Sequence, residues 1–538
     1  MLGGELWFHF MNVMLMTLVV APLVLWRYRR AVLAGMQDRL GAPLPVPAPR
    51  PSLRSMQAAT AARSAPAFSV AAALAWEARL RRRIFAATLA AVFVPSLLLA
   101  AQYLAFNDLP MMPSHLFLTA AVTSSVAVPI YTVLTATPFW RAVRIGALTM
   151  CGLAAAGVVV SMVQRPFYGK APTLDQALNF VAFFELAANE LWLPALLGAV
   201  IGLRRVRGVA PLAFAGLLVF AIAPLLGVGV TNWLLGMAWS TGWVLSGPGI
   251  YAGIVVLALP VGLLAWWRLK ALARGYEAKR FSDAQLLAHS WWLVVVTGYA
   301  LTMVSVHPGT KPLLQILAAS IAAYFLLPFL LAQGLRWAQG GAARPPPRTL
   351  LLLRVFGDTR RTEALFERIA SRWQRFGPVT MIAAPDVVAG TVDPGDMLRF
   401  ASGNIDASFI TSQDDLTRRL ATMDVAPDRD GRFRISEFCC RDDTWQATVV
   451  ALIERADAVV MDLRGFSSER HGCEFELREL AARLGPGRGV LVVDASTDRA
   501  LLAGLVPGGS GAMPMVEVRR GQGAQADAAF TALLGAAG

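Results

Sequence analysis

Residues 454–480 read ERADAVVMDLRGFSSERHGCEFELREL. An apolar run, Ala458 to Met461, ends in Asp462 and passes into a Gly-containing loop. A helical pattern then opens near Cys473 and carries Glu476, with Glu474 and Glu479 close by. Strand, acidic end, loop and carboxylate-bearing helix is the layout of a ligand site at the carboxyl edge of a parallel sheet. The stretch stands out because almost everything before residue 340 reads as lipid-facing.

Upstream of it the pattern repeats. Leu350 to Val355 is a short, mostly apolar run followed by Phe356, Gly357 and Asp358. Apolar strands of this kind belong to parallel sheets covered on both faces. Leu365, Ile369 and Trp373 have helical spacing over 361–375, and Val379 to Ala383 predicts a second strand. Helices are expected around 395–402, at 413–423 and at 443–456, with an extended piece from Phe433 to Cys439 after the DRDG turn at 428–431. After the quoted stretch come a strand at Val490 to Asp494, an edge strand at 515–519 and a last helix at 525–536. Alternating strands and helices predict a doubly wound, mostly parallel α/β sheet. Asp358, Asp386, Asp462 and Asp494 each follow a predicted strand, and in doubly wound sheets such ends share one edge. Strand-end Asp is also a frequent turn former or cap. Glu476 likewise has a plain alternative, a solvated residue beside the apolar positions Cys473, Phe475, Leu477 and Leu480.

The 538-residue chain is 56% hydrophobic and only 16% charged, against about 25% in average soluble domains. Residues 344–538 hold 24 Arg, no Lys and 26 Asp plus Glu, a net of −2; the basic excess of the chain therefore lies wholly before residue 344. That distribution argues against nucleic acid as a partner, because such domains carry their own basic patch.

A span needs about 20 apolar residues. Nine candidates are read at 6–26, 84–105, 115–136, 145–163, 178–202, 209–230, 246–267, 289–306 and 312–334. With the N-terminus outside, the inner loops contain 22 Lys and Arg and the outer loops three. This asymmetry predicts a multi-pass protein of the bacterial inner (plasma) membrane with its C-terminal domain in the cytoplasm. The expected organisation is a first span at 1–30, a Pro/Ala-rich cytosolic linker at 31–83, an eight-span helical bundle at 84–336, a Pro-rich linker at 337–348 and an α/β domain at 349–538. Within 31–83, GAPLPVPAPRPS should be extended and mobile, and 68–83 should be a helix leading into the second span. Ionisable groups inside the expected spans are scarce; Glu185 and Glu190, with Asn189, lie in FFELAANELWLP. They mark either an intramembrane ion site, as in a transporter, or an interfacial helix.

The four cysteines have no disulfide or zinc spacing. No phosphate loop, nucleophile elbow, HExxH or kinase set is present.

The C-terminal domain resembles a divergent Toll–interleukin receptor (TIR) domain of the flavodoxin-like group. LLLRVFGD at 351–358 is similar to that family's opening strand and loop, and GCEFEL at 472–477 to its Trp-Cys-x-x-Glu-Leu helix, with Gly472 in place of the Trp. The resemblance implies that Glu476 takes the position of the catalytic glutamate of NAD-cleaving members. Phe356, Gly357 and Asp358 would line the nucleotide, and Ser467 and Ser468 match the Ser-rich loop. With Asp462 and Arg464 these make the expected binding set; no metal and no resident cofactor is expected, and NAD enters as substrate. The chain also resembles multi-span bacterial membrane proteins with MDLRGFS-type C-terminal domains, which adds no activity. The expected partners are the bilayer, a nucleotide and a second copy of the chain. Three functions follow as expectations: membrane-tethered nucleotide binding or NAD cleavage in signalling, a non-catalytic interaction module, and a transporter with a regulatory domain.

Overall fold

The computed structural model describes, apart from single positions, residues 25–36, 43–46, 69–135, 144–152, 270–340, 344–354, 359–383, 409–484, 487–506, 513–518 and 523–536. The chain divides into two compact units. One is built mainly from residues 82–340, the other from 26–81 together with most of 341–538.

In the first unit the described helices include the later part of α1 (Val70–Phe106), α2 (Pro113–Ser124), α3 (Ala127–Thr135), α4 (Asp283–Val306) and α5 (Thr310–Gln339). Two described helices, α1 and Lys311–Gln339 within α5, are long and apolar enough to cross a membrane. Nine spans were expected. Those at 178–202 and 209–230 lie outside the described residues, as do Glu185, Asn189 and Glu190, and those at 6–26, 145–163 and 246–267 lie mostly outside them.

The expected span at 115–136 is instead two shorter helices. Ser124 Oγ donates to the Ala120 carbonyl (2.6 Å) and Thr123 Oγ1 to Thr119 (3.3 Å), contacts that bend a helix. Pro129, within the first turn of α3, has no N–H to carry the earlier helix forward. α4 begins six residues before the expected 289. Ser282 forms a capping box there, its Oγ accepting from the Gln285 N–H (3.1 Å) and its own N–H donating to Gln285 Oε1 (2.9 Å). Trp292 Nε1 then donates to the Ala323 carbonyl (3.0 Å), fixing α4 on α5.

The second unit is a seven-stranded sheet. Its strands are β1 (Leu350–Arg354), β2 (Val379–Ala383), β3 (Phe409–Ile410), β4 (Ile435–Cys440), β5 (Ala458–Asp462), β6 (Gly489–Val493) and β7 (Met515–Glu517). The order is β3-β4-β2-β1-β5-β6-β7 and every pairing is parallel. Its helices include α6 (Thr359–Trp373), α7 (Gln413–Ala421), α8 (Trp445–Arg455), α9 (His471–Arg483), α10 (Arg499–Leu505) and α11 (Gly523–Ala536).

Alternation along the strands explains the layering, since successive side chains point to opposite faces. Leu351 and Leu353, Val459 and Met461, and Leu491 and Val493 share one core with Val449, Ile453, Cys473, Leu477 and Leu480 of α8 and α9. The intervening Leu350, Leu352, Val460, Val490 and Val492 are equally buried, so the other face must be covered too. There α6 packs on β1 and on α11, and α11 packs on β5 and β6.

Part of the segment between the first two expected spans belongs to this unit. The Leu44 N–H donates to the Asp443 carbonyl (3.0 Å), and Leu44 and Val46 pack on the α8–α9 core. These apolar residues within the Pro-rich run pin it there, so at 43–46 it is docked rather than free. Tyr28 meets Phe400 edge-on at 5.5 Å, and Gly35 lies so close to the Phe409 ring that a Cβ would come within 2.6 Å of it.

Candidate functional site at the ends of β1 and β5

The order in which strands are added reverses between β1 and β5. From β1 the chain moves to β2 on one side and later returns to place β5 on the other. Ligands of open α/β sheets bind at such a switch point, beyond the carboxyl ends of the strands. The last register pair at this point is Arg354 opposite Asp462. Both residues are buried.

Asp462 is held by its own loop. Arg464 Nε donates to Oδ1 (2.8 Å) and Nη2 to Oδ2 (2.7 Å), and the Arg464 backbone N–H also reaches Oδ1 (3.2 Å). Gly465, at φ +74, then takes the left-handed turn that a side chain would resist. Phe466 follows, fully buried, and anchors the loop. Thr497 Oγ1 donates to the Leu463 carbonyl (2.9 Å) and the Asp498 N–H to Phe466 (3.0 Å), tying the β5 and β6 exit loops together. Asp494 is the turn former that its position allows, accepting from Ser496 N–H (2.9 Å) and Oγ (2.5 Å). Burial pushes Asp494 up, but the Ser496 hydrogen bonds and the Arg464 charge outweigh that and hold it below the usual carboxylate range.

α9 delivers the third element. Its buried stripe is Cys473, Glu476, Leu477, Leu480 and Arg483, so Glu476 occupies a core position. This overturns the solvated alternative; Glu476 is 2% exposed. The neighbouring carboxylates are neutralised differently. Glu474 pairs with Arg478, and Glu479 Oε2 with Arg483 Nε at 2.6 Å, each one helical turn apart. Arg483 also meets Glu454 of α8 at 2.6 Å.

Cys473 lies three residues before Glu476 on the same stripe, and its Sγ is 3.5 Å from the Arg354 carbonyl. The carboxyl of Glu476 thus belongs to the end of β1, where burial pushes its pKa up to about 8 and the Arg354 charge pulls it partly back. At neutral pH it is largely a neutral acid, able to donate as well as accept. Its Oε2 is buried without a hydrogen-bond partner. An unmet polar atom costs about 1–3 kcal/mol, so native proteins rarely keep one without a use.

Of the expected site residues, the structure brings Asp462, Arg464 and Glu476 to this edge. Ser467 is half-buried and Ser468 exposed in the turn that enters α9, where the Arg470 N–H donates to the Ser467 carbonyl at 3.0 Å. Phe356, Gly357, Asp358 and Asp386 lie outside the described residues. Arg354 was not singled out from the sequence, although a lone Arg closing a run of four Leu was a legible signal. Among the described residues no cluster of His, Cys, Asp or Glu has the makings of a metal site. Cys439 and Cys440 are buried in β4.

These features define a parallel α/β domain with an ionisable switch-point edge, on a chain that also carries long apolar helices. Comparison with protein-family models, curated proteins and solved structures returns no significant match.

Proposed function

We propose that this is a multi-pass protein of the bacterial inner membrane whose cytosolic, TIR-like α/β domain binds a nucleotide beyond β1 and β5. The loop-charge asymmetry and the two long apolar helices support the membrane part. The partial order β2-β1-β5-β6-β7 supports the flavodoxin-like part; β4 and β3 extend it on the outer side of β2.

The observation that carries the proposal is the unmet Oε2 of Glu476 next to Arg354 at the switch point. A ribose hydroxyl would satisfy it, and Arg354 and Arg464 would face the phosphates. NAD is the substrate that the resemblance favours. Breaking its ribose–nicotinamide bond leaves positive charge on the sugar, water adds there, and nicotinamide and a proton depart with ADP-ribose. An ionised Glu476 stabilises that charge. The approaching cation itself favours ionisation of a carboxyl poised near 8. Incubating the purified full chain with NAD and chromatographing for nicotinamide tests this; absence of product at long times removes the cleavage step.

A second reading is favoured by the depth of Glu476. At 2% exposure it is out of reach of a large substrate in this form. The domain then binds a ligand or protein without cleaving it and reports on a membrane sensor.

A further inference from the structure

The membrane-directed helix α1 begins as part of the α/β unit. Residues 70–81 belong to that unit and 82–106 to the other, in one unbroken helix. Within the α/β unit, Glu77 is almost fully buried and is held by two arginines. Arg372 Nη2, at the end of α6, donates to its Oε2 at 2.8 Å, and Arg81 Nη2 to its Oε1 at 2.8 Å. Trp76 packs edge-on against Phe376 at 5.7 Å, and Phe376 packs on Phe530 of α11 at 5.8 Å.

The pairing has an unusual property: each partner keeps a counter-charge if the two separate. Arg372 Nη1 also meets Asp527 Oδ1 at 3.1 Å, and its guanidinium lies 3.9 Å from the centre of the Phe530 ring. Glu77 retains Arg81 on its own helix. Breaking a buried ion pair is costly chiefly because it strands an uncompensated charge, and here none is stranded. Undocking therefore breaks the Trp76–Phe376 contact and the Glu77–Arg372 bonds without stranding a charge. α6 follows β1 directly in the chain, and β1 ends in Arg354.

We propose that residues 70–81 are a releasable clamp on α6 and α11, through which movement of the α1 span alters the α/β domain. The clamp does not depend on what the β1–β5 edge binds. Hydrogen exchange of the full chain in nanodiscs tests it. In the wild type, amides of 70–81 and of α11 should open together, with less protection than β5 and β6. Glu77→Gln should speed exchange in 70–81, α6 and α11 on the order of tenfold, the scale of a lost charged hydrogen bond, and leave β5 and β6 unchanged. Three results would overturn the proposal. In the variant these are no acceleration, or equal acceleration throughout the sheet. In the wild type, which decides even if the variant does not fold, it is protection of 70–81 equal to that of β5 and β6.

Discussion

Arg354 and Asp462 stand opposite each other at the last paired position of β1 and β5. Two buried charged residues at the switch point of an otherwise apolar pair of strands are what the two cores on either face cannot explain. Glu476 adds a third ionisable group and an unmet oxygen to the same edge.

The buried state of Glu476 makes stability pH-dependent in a defined direction. Its folded pKa, about 8, lies above the ordinary 4.5, so folding takes up a proton. The contribution is fully present below the unfolded value and is lost as pH rises through the folded one. Stability should fall between roughly pH 4.5 and 8, by at most about 1.4 kcal/mol per unit. Glu476→Gln, neutral throughout, should remove that slope. Urea unfolding at several pH values, compared between the two proteins, checks it; identical slopes would contradict the assignment.

Removing Asp462 should be more damaging than removing an exposed carboxylate. The Asp462 side chain is 1% and that of Arg464 11% exposed, and their pairing is bidentate. Asp462→Ala breaks this buried bidentate pair and should cost about 3 kcal/mol. Adding Arg464→Ala should recover part of that loss. A double-mutant cycle in denaturant reads the coupling directly.

Membrane orientation is tested by reporter fusions. The 22-to-3 distribution of basic residues predicts that a reporter joined after Gly538 works in the cytoplasm. A fusion active only on the outer side would reverse the topology and remove a cytosolic ligand from consideration.

The sheet was legible because local signals agreed with the global fold. The run Ala458 to Met461 reads as a doubly covered strand and is one, and Val379–Ala383 is found with the expected ends. The two-residue β3 and the short α10 went unread because neither is long enough to show a period. Strand order was out of reach, since β4 and β3 join beyond β2 through contacts far apart in sequence. At the site, Asp462 and Glu476 could be nominated from their positions, but not the burial of Glu476. The pattern C-E-F-E-L-R-E-L offers Phe475 as the more apolar choice. Tertiary packing instead turns Glu476 inward and sets Phe475 against Trp445, ring centres 5.4 Å apart. Likewise the Pro-rich run near residue 44 gave no sign that Leu44 and Val46 would dock, because the surface they meet is assembled from residues some 400 positions later.

If Glu476 faces a nucleotide at the β1–β5 edge, calorimetry of the full chain with NAD should register it. A carboxyl that is protonated when free and ionised against a cationic nicotinamide ribose must release its proton on binding. Binding at pH 7 should be saturable, its heat should vary with the ionisation enthalpy of the buffer, and that variation should be lost in Glu476→Gln. No binding, or a buffer dependence that persists unchanged in the variant, would contradict it.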